Sequence, residues 1–288
     1  MNASYASFAT WRIYLKERSP LPAIATIGFF QSLSSNYLFR AELDGTGILI
    51  STLCLTLLLI LMRLMDEIKD YQKDLIAHPA RPLPRGLITP GQIQRAIQVL
   101  AAGLLASGAL LLFFRSAASG GAFVFTLAYL LLMYKEFFCS EYINRNAFLY
   151  AITHQVILIP MYIFSVAMTS PEAAFSQRTL WFSLTGLGAS FAYEVCRKLD
   201  PDSHPVLNTY LALYGRTPSM IAIFLALGLL SFSALKIGVH TLIWPAVGLL
   251  VLFLPLVYFM PGQFKLIERI SALVVLIQLL SVTTKHFL

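Results

Sequence analysis

Charged residues and cysteines are both scarce in this sequence. Only 12% of the 288 residues are Asp, Glu, Lys or Arg, whereas 58% are apolar. Soluble domains contain about 25% charged residues, so the composition excludes an ordinary soluble protein. The three cysteines, Cys54, Cys139 and Cys196, are far apart and form no CxxC pair. Neither a disulfide framework nor a cysteine-based zinc site is therefore indicated.

The sequence contains several long runs of apolar residues. A membrane-crossing helix needs about 20 mostly apolar residues, and the runs lack the alternation that is typical of barrel strands. We predict an all-α, polytopic membrane protein that forms a single domain over residues 1–288. Its nine predicted spans cover residues 20–38, 47–65, 94–114, 121–139, 147–168, 178–196, 218–235, 239–259 and 267–284.

Two further expectations concern the N-terminal region. The first 20 residues lack a continuous apolar core, so we expect no cleavable signal peptide. The first predicted span, residues 20–38, is the least apolar of the nine because it contains the sequence FFQSLSSNYLF. We expect this span to face protein or a cavity and not lipid.

Basic residues orient the predicted bundle. Of the 21 Lys and Arg residues, 16 lie in one set of loops and span ends and five lie in the other. The positive-inside rule places the richer set, with the N-terminus, in the cytoplasm, as in a bacterial-type inner (plasma) membrane. The net charge of +7 is then a topological signal. No nucleic-acid partner is expected, because the charges are spread over short loops.

An acidic segment, DEIKDYQKD at residues 66–74, directly follows the second span. In a helix, Asp66, Asp70 and Asp74 would share one face, because each four-residue step advances only about 40°. Adjacent carboxylates repel one another unless cations hold them together. The segment is either a solvated, salt-bridged helix end or a site for Mg²⁺, which takes oxygen ligands and completes its shell with substrate phosphates. We favour the magnesium site, with Lys69 as a candidate diphosphate ligand.

A proline-rich segment, HPARPLPRG at residues 78–86, comes next in the chain. Its prolines exclude a helix, so Arg81 and Arg85 would be presented on a stiff loop. Guanidinium groups bind phosphate oxygens in a bidentate manner, which makes both arginines candidate diphosphate ligands. Anchoring of the cytoplasmic surface is the alternative role.

These two segments together resemble the first motif and the following loop of the UbiA superfamily of intramembrane prenyltransferases, written NDxxDxxxD and RPLPxG. Asp70 and Asp74 match the motif directly, whereas Asp66 and Glu67 stand where the family has Asn and Asp. The nine predicted spans also match the family's fold. The resemblance implies Mg²⁺ as cofactor, an isoprenyl diphosphate as substrate, and transfer of its prenyl group to an aromatic or other small acceptor within the membrane lipid.

The family's second acidic motif has one candidate counterpart, YEVCRKLDPDSHP at residues 193–205. The family pattern DxxxD would begin at Glu194 but meets Lys198 four residues later, which is a departure from the family. Either Glu194 holds metal together with Asp200 or Asp202, or the second metal site is lost. An ordinary cytoplasmic loop is the third alternative.

Other candidate residues rest on the same resemblance. One branch of the family has an E-x-x-R-K signature followed by a Thr-Tyr pair. Arg197, Lys198 and Tyr210 fit it, and they are candidate diphosphate ligands. Tyr134 and Lys135 resemble the family's Tyr and Lys/Arg at the end of the fourth span, which makes them catalytic candidates.

Aromatic and histidine side chains near these segments have two possible roles. Tyr134 and Tyr193 either belong to the interfacial aromatic belt or line a cavity, where their ring faces would stabilise a carbocation. We count Tyr193 among the candidate substrate ligands. His154, inside the fifth span, fits hydrogen bonding in the bundle interior better than catalysis.

Two other functions remain open at the level of sequence. A UbiA-type terpene cyclase would ionise the same diphosphate, and a non-enzymatic transporter would also contain intramembrane acids. Carriers usually bind their substrates near the midplane, whereas the acids here lie at one cytoplasmic mouth. The sequence therefore favours an integral-membrane prenyltransferase that ionises an isoprenyl diphosphate with magnesium.

Overall fold

A computed structural model describes residues 7–288 of the chain. The part of the expectation about a signal peptide that concerns residues 1–6 lies outside the described residues. The described residues contain helices and turns and no strands.

The α-helices are α1 Phe8–Arg18, α2 Leu21–Phe39, α3 Gly45–Lys69, α4 Tyr71–Ala77, α5 Pro90–Phe114, α6 Ala117–Tyr134, α7 Ser140–Ile143, α8 Ala147–Gln155, α9 Leu158–Thr169, α10 Gln177–Arg197, α11 Tyr210–Tyr214, α12 Arg216–Ile237, α13 His240–Phe253, α14 Leu256–Phe259 and α15 Phe264–Phe287. Short 3₁₀ turns occur at Glu136–Phe138, Pro171–Ala173, Pro205–Leu207 and Pro261–Gln263.

Seven segments of the described chain are long and apolar enough to cross a membrane. They are Gly45–Lys69, Pro90–Phe114, Ala117–Tyr134, Ala147–Thr169, Arg216–Ile237, His240–Phe259 and Pro261–Phe287. The predicted spans at 20–38 and 178–196 also form helices, α2 and α10, but their polar content keeps them out of this set. The all-α class is confirmed, whereas the count of nine spans stays a prediction.

The polar residues of α2 are enclosed by other helices. Ser32 Oγ donates a hydrogen bond to Ser51 Oγ of α3 at 2.8 Å, and Ser35 Oγ donates to Ser165 Oγ of α9 at 2.8 Å. All four side chains are fully buried. Lipid offers no hydrogen-bond partners, so such a helix is stable only where neighbouring helices satisfy its polar groups. The expectation that the first span faces protein or a cavity is confirmed for this polar half of α2, whereas Leu21, Ile27 and Phe29 in its first half are exposed.

Helices α8 and α9 form one membrane segment that is interrupted in the middle. Pro160 lacks the N–H that would bond to the Val156 carbonyl oxygen, and this oxygen instead accepts a hydrogen bond from the Ile159 N–H at 3.0 Å. The interruption therefore follows directly from the sequence. It leaves His154 and Gln155 in the last turn of α8, directly before the break.

Two apolar clusters form the core of the bundle. One involves α10, α12, α13 and α15, and the other involves α3, α5, α6 and α9. Helices α10 and α12 approach closely at Gly188, where a Cβ atom would lie 2.8 Å from the Ala226 carbonyl oxygen. Small residues allow such close packing in membranes. Leu158, the first residue of α9, packs against both clusters.

Candidate active site

The acidic segment is a helix that bends at Asp70. Helix α3 ends at Lys69 and α4 begins at Tyr71, yet the i→i+4 backbone bonding continues through the bend. The Asp70 N–H donates to the Asp66 carbonyl oxygen at 2.8 Å, and the Asp74 N–H donates to the Asp70 carbonyl oxygen at 2.8 Å. The three aspartates therefore keep their helical spacing, but their side chains have different surroundings.

Asp74 is the buried member of the three, with 3% of its surface exposed. Arg81 Nη1 donates a hydrogen bond to Asp74 Oδ1 at 2.6 Å. This ion pair closes the proline-rich loop onto α4. Residues 78–89 contain no helix, as the prolines predict. Asp74 and Arg81 thus have a clear role in holding the loop in place.

Asp66 and Asp70 have no such partners. Within the described residues, neither carboxylate has a hydrogen bond or an ion pair with another side chain. Asp66 lies within electrostatic reach of the acids Asp70 and Glu194, the latter on α10, and of the cations Arg63 and Lys69. Like charges at this distance repel one another unless a cation lies between them. The structure therefore brings the first acidic segment and Glu194 of the second to one place.

The donor atoms at this place suit a hard cation. No group of three or more His, Cys, Asp or Glu side chains within residues 7–288 has the arrangement of a metal site. Magnesium, however, needs only one or two carboxylates and takes its other oxygens from phosphate and water. Asp66 and Asp70 meet that requirement.

Glu67 has a different role from its neighbour Asp66. Its Oε1 accepts a hydrogen bond from Arg18 Nε at 2.7 Å and lies 3.4 Å from Arg63 Nε. Arg18 is the last residue of α1, so this buried cluster fixes α1 to the end of α3. Nearby, burial and the charge of Glu67 raise the pKa of Tyr14 on α1. Glu67 is therefore an anchor for α1.

We expect Glu67→Ala to lower the free energy of unfolding by about 3 kcal/mol, because Arg18 and Arg63 would lose their shared partner in a buried setting. Thermal unfolding of the detergent-solubilised protein measures the effect. Glu141→Ala removes an exposed acid and should leave the unfolding temperature unchanged. Equal stability of the two variants would contradict the anchoring role.

The ammonium group of Lys69 is surrounded by three side chains. Its Nζ lies 3.0 Å from His154 Nε2, 3.4 Å from Glu136 Oε1 and 5.0 Å from the ring centroid of Tyr150. The Tyr150 and His154 rings stack with their centroids 3.8 Å apart. Lys69 is thereby held on the side of α8, although Asp66 lies one turn earlier on its own helix.

Glu136 reaches Lys69 from an unusual turn. The fourth predicted span runs to residue 139, but α6 ends at Tyr134. Glu136, Phe137 and Phe138 then adopt left-handed φ angles of 49°, 52° and 57°. Each costs a non-glycine residue roughly 1–2 kcal/mol. A hydrogen bond of 2.8 Å from Asn144 Nδ2 to Glu136 Oε2 helps to hold the turn.

Glu194, in the second acidic segment, is paired with two cations. Lys198 Nζ lies 2.7 Å from its Oε1, and Arg197 Nη2 lies 2.7 Å from its Oε2. Lys198 Nζ is also 5.2 Å from the ring centroid of Tyr210. Tyr210 is buried, and this desolvation together with the Glu194 charge raises its pKa. Glu194, Arg197, Lys198 and Tyr210 therefore form one contiguous group.

Asp200 and Asp202 form a local turn beyond this group. The Asp202 N–H donates to Asp200 Oδ1 at 3.0 Å, and neither carboxylate has an ion pair within the described chain. The 3₁₀ turn Pro205–Leu207 that follows contacts α4. The loops after the second and sixth predicted spans thus meet at the same end of the bundle.

A cavity of about 300 Å³ opens between α3, α8 and α10 beside Glu194. Its apolar wall consists of Met62, Ile157 and Leu158, and its polar wall of His154, Gln155, Ser190, Tyr193, Glu194 and Arg197. Such a mixed wall suits a ligand with a charged head and an apolar body. A second hollow of about 380 Å³ lies between α1 and residues 77–82, but the arginines at its edge are already paired with Glu67 and Asp74.

Three of the candidate residues lie at the edge of the site. Arg85 Nη1 and Nη2 donate to the two carboxylate oxygens of Glu17, each at 2.9 Å, and this hydrogen bonding lowers the pKa of Glu17. Lys135 is exposed, with its Nζ 5.5 Å from the ring centroid of Tyr134. The structure does not bring Arg85, Tyr134 or Lys135 into contact with Asp66, Asp70 or Glu194.

Comparison with known proteins identifies the family of the chain. The model of the UbiA prenyltransferase family matches residues 24–264, which include both acidic segments and the cavity walls. A solved structure of a digeranylgeranylglyceryl phosphate synthase superposes with a TM-score of 0.68 over 97% of this chain and 99% of that chain, at 16% identity. That likeness shows a shared fold. No curated protein matches the sequence. From the family match, the chain belongs to the UbiA prenyltransferase family and is an integral-membrane prenyltransferase.

Proposed function

We propose that this prenyltransferase binds an isoprenyl diphosphate through magnesium held by Asp66 and Asp70, and transfers the prenyl group to an aromatic or other small acceptor. One observation carries the proposal. The Asp66 carboxylate, which has no hydrogen bond or ion pair in the described chain, lies within electrostatic reach of Asp70 and of Glu194, and Glu194 and Arg197 line a cavity with an apolar wall.

In this proposal some charged residues hold the proline-rich loop in place and others bind the diphosphate. Arg81 is committed to Asp74 and Arg85 to Glu17, so they shape the proline-rich loop. The proposed diphosphate ligands are Lys69, which lies within electrostatic reach of Asp66, and Arg197 and Lys198, whose partner Glu194 lines the cavity. A second metal ion would have to be bound by Glu194, Asp200 or Asp202.

The reaction begins with cleavage of the allylic C–O bond. The electron pair leaves with the diphosphate, and an allylic carbocation remains. Arg197 and Lys198 stabilise the charge on the departing group as pre-placed cations. The contribution of magnesium, when bound, is further neutralisation of that charge. The ring of Tyr193 at the cavity wall stabilises the carbocation through its face. The acceptor then forms the new bond and releases a proton.

We further propose that α2 and α10 complete a nine-span bundle within one domain. With 19 and 21 residues, both helices are long enough to cross a bilayer core, and the polar face of α2 is enclosed by protein. The distribution of basic residues supports a cytoplasmic N-terminus and a cytoplasmic site mouth in a bacterial-type inner membrane.

Reporter fusions test this topology. We expect fusions after residues 86, 141 and 204 to report a cytoplasmic location and a fusion after residue 172 to report a periplasmic one, because the 16-to-5 division of basic residues favours that orientation. A cytoplasmic signal at residue 172 would show that the spans between residues 121 and 196 are wrongly assigned.

A product assay tests the reaction. The purified protein is incubated with labelled isoprenyl diphosphates of several lengths, with and without magnesium, and with a panel of aromatic and hydroxylic acceptors. Magnesium-dependent transfer of label to an acceptor supports the proposal. A labelled hydrocarbon or alcohol formed without any acceptor would instead identify a terpene cyclase. Consumption of the diphosphate that does not depend on magnesium would contradict the assignment of the metal.

A further inference from the structure

Lys69 does not pair with the nearest acid on its own helix. Asp66 and Lys69 are three residues apart, a spacing that places side chains side by side on a helix and favours an ion pair. Within the described residues, however, Asp66 has no ion pair, and the Lys69 ammonium contacts His154 and Glu136. The Lys69 ammonium is therefore held away from the Asp66 carboxylate, although their spacing on the helix would allow an ion pair.

The orientation of His154 explains how this separation is maintained. His154 Nδ1 lies 2.7 Å from the Tyr150 carbonyl oxygen, and a carbonyl oxygen can only accept, so Nδ1 carries the proton. The lone pair of Nε2 is therefore left to accept a hydrogen bond from Lys69 Nζ at 3.0 Å. The stacked Tyr150 ring fixes the rotation of the imidazole. His154 is consequently a preset acceptor for an ammonium group.

Glu136 is a second partner of the Lys69 ammonium, at a longer distance. Its Oε1 lies 3.4 Å from Lys69 Nζ, whereas His154 Nε2 lies 0.4 Å closer, at 3.0 Å. Glu136 is also engaged by Asn144. The closest contact of the ammonium is therefore with His154.

We infer that His154 is a positioning residue that holds the Lys69 ammonium away from Asp66 and so keeps the Asp66 carboxylate free to bind a divalent cation. The inference rests on the proposed function, because it assumes that Asp66 binds the cation. This role would explain why a polar side chain, His154, lies next to the interruption between α8 and α9. Without His154, Lys69 turns to Asp66 and competes with the metal.

The test measures binding of Mn²⁺ alone, by electron paramagnetic resonance, to the full-length protein in detergent without substrate. We expect His154→Ala to weaken Mn²⁺ binding about fivefold, the upper end of the effect of one competing ion pair. His154→Gln, which retains an acceptor, should remain close to wild type. Adding Lys69→Met to His154→Ala should restore the affinity to within about twofold of wild type.

The double variant separates positioning from folding, since a misfolded His154→Ala protein would not be restored by a second substitution at Lys69. His286→Ala, which alters a histidine stacked on Tyr37 at the end of α2, is the matched control and should bind Mn²⁺ as wild type does. Unchanged affinity in His154→Ala, or no recovery in the double variant, would overturn the inference.

The proposed function can fail separately. If Asp66→Asn leaves Mn²⁺ binding unchanged, the cation is not held at Asp66, and both the metal assignment and this inference are overturned. If Asp66→Asn abolishes binding while His154→Ala does not affect it, the metal assignment is supported and only the role of His154 is overturned.

Discussion

Asp70→Asn is expected to reduce turnover at least about a hundredfold, as the loss of one pre-placed electrostatic group commonly does, without loss of stability. Asp70 is exposed, and its carboxylate has no partner in the described part of the chain, so no folding interaction is lost. The substitution keeps the shape of the side chain and removes the charge that a divalent cation needs. Turnover with saturating prenyl diphosphate, together with the unfolding temperature, measures both effects.

Asp74→Asn provides a contrast within the same motif. Asp74 is buried against Arg81 at 2.6 Å, so its substitution should lower both turnover and the unfolding temperature by loosening the proline-rich loop. Glu172→Gln, at an exposed acid distant in sequence from both acidic segments, should affect neither. Full activity of Asp70→Asn with an unchanged magnesium requirement would contradict the role of this aspartate as a metal ligand.

Regular features of the fold could be predicted because they depend on local sequence. The apolar runs predicted the helices. The helical spacing of Asp66, Asp70 and Asp74 is retained through the bend at Asp70. The prolines correctly predicted that the next loop contains no helix. The polarity of α2 likewise indicated that its serines face other helices. In each case a pattern within about 20 residues contains the whole signal.

Partners between distant segments could not be predicted in this way. Glu67 stands where the family motif has Asp, yet it pairs with Arg18 because α1 folds back against α3. The left-handed turn at Glu136 lacks the glycine that usually marks such a conformation. The spacing of Tyr150 and His154 did contain a usable signal, because residues four apart share a helix face. Their partner Lys69 is identified only by the folded chain.

The second acidic segment offers the other large expected effect. Lys198→Asp should raise the magnesium concentration for half-maximal binding of a prenyl thiodiphosphate at least about tenfold, the worth of one charge-assisted hydrogen bond. Lys198 Nζ lies 2.7 Å from Glu194 Oε1. The substitution replaces this cation with a second anion beside Glu194, so that additional metal must balance the diphosphate. Lys198→Met removes the cation without adding an anion and should give a smaller increase.

Glu194→Gln then distinguishes the alternatives left open for the segment that contains Glu194. Both of its oxygens are occupied by cations, with Arg197 and Lys198 each at 2.7 Å, so we expect its neutralisation to release both cations to the diphosphate. The magnesium requirement should therefore fall in Glu194→Gln, opposite to the rise in Lys198→Asp. Titration of both variants with magnesium at a fixed concentration of prenyl thiodiphosphate measures the two shifts. A rise in Glu194→Gln would instead identify Glu194 as a metal ligand, and equal requirements in all variants would leave residues 193–205 as a plain loop.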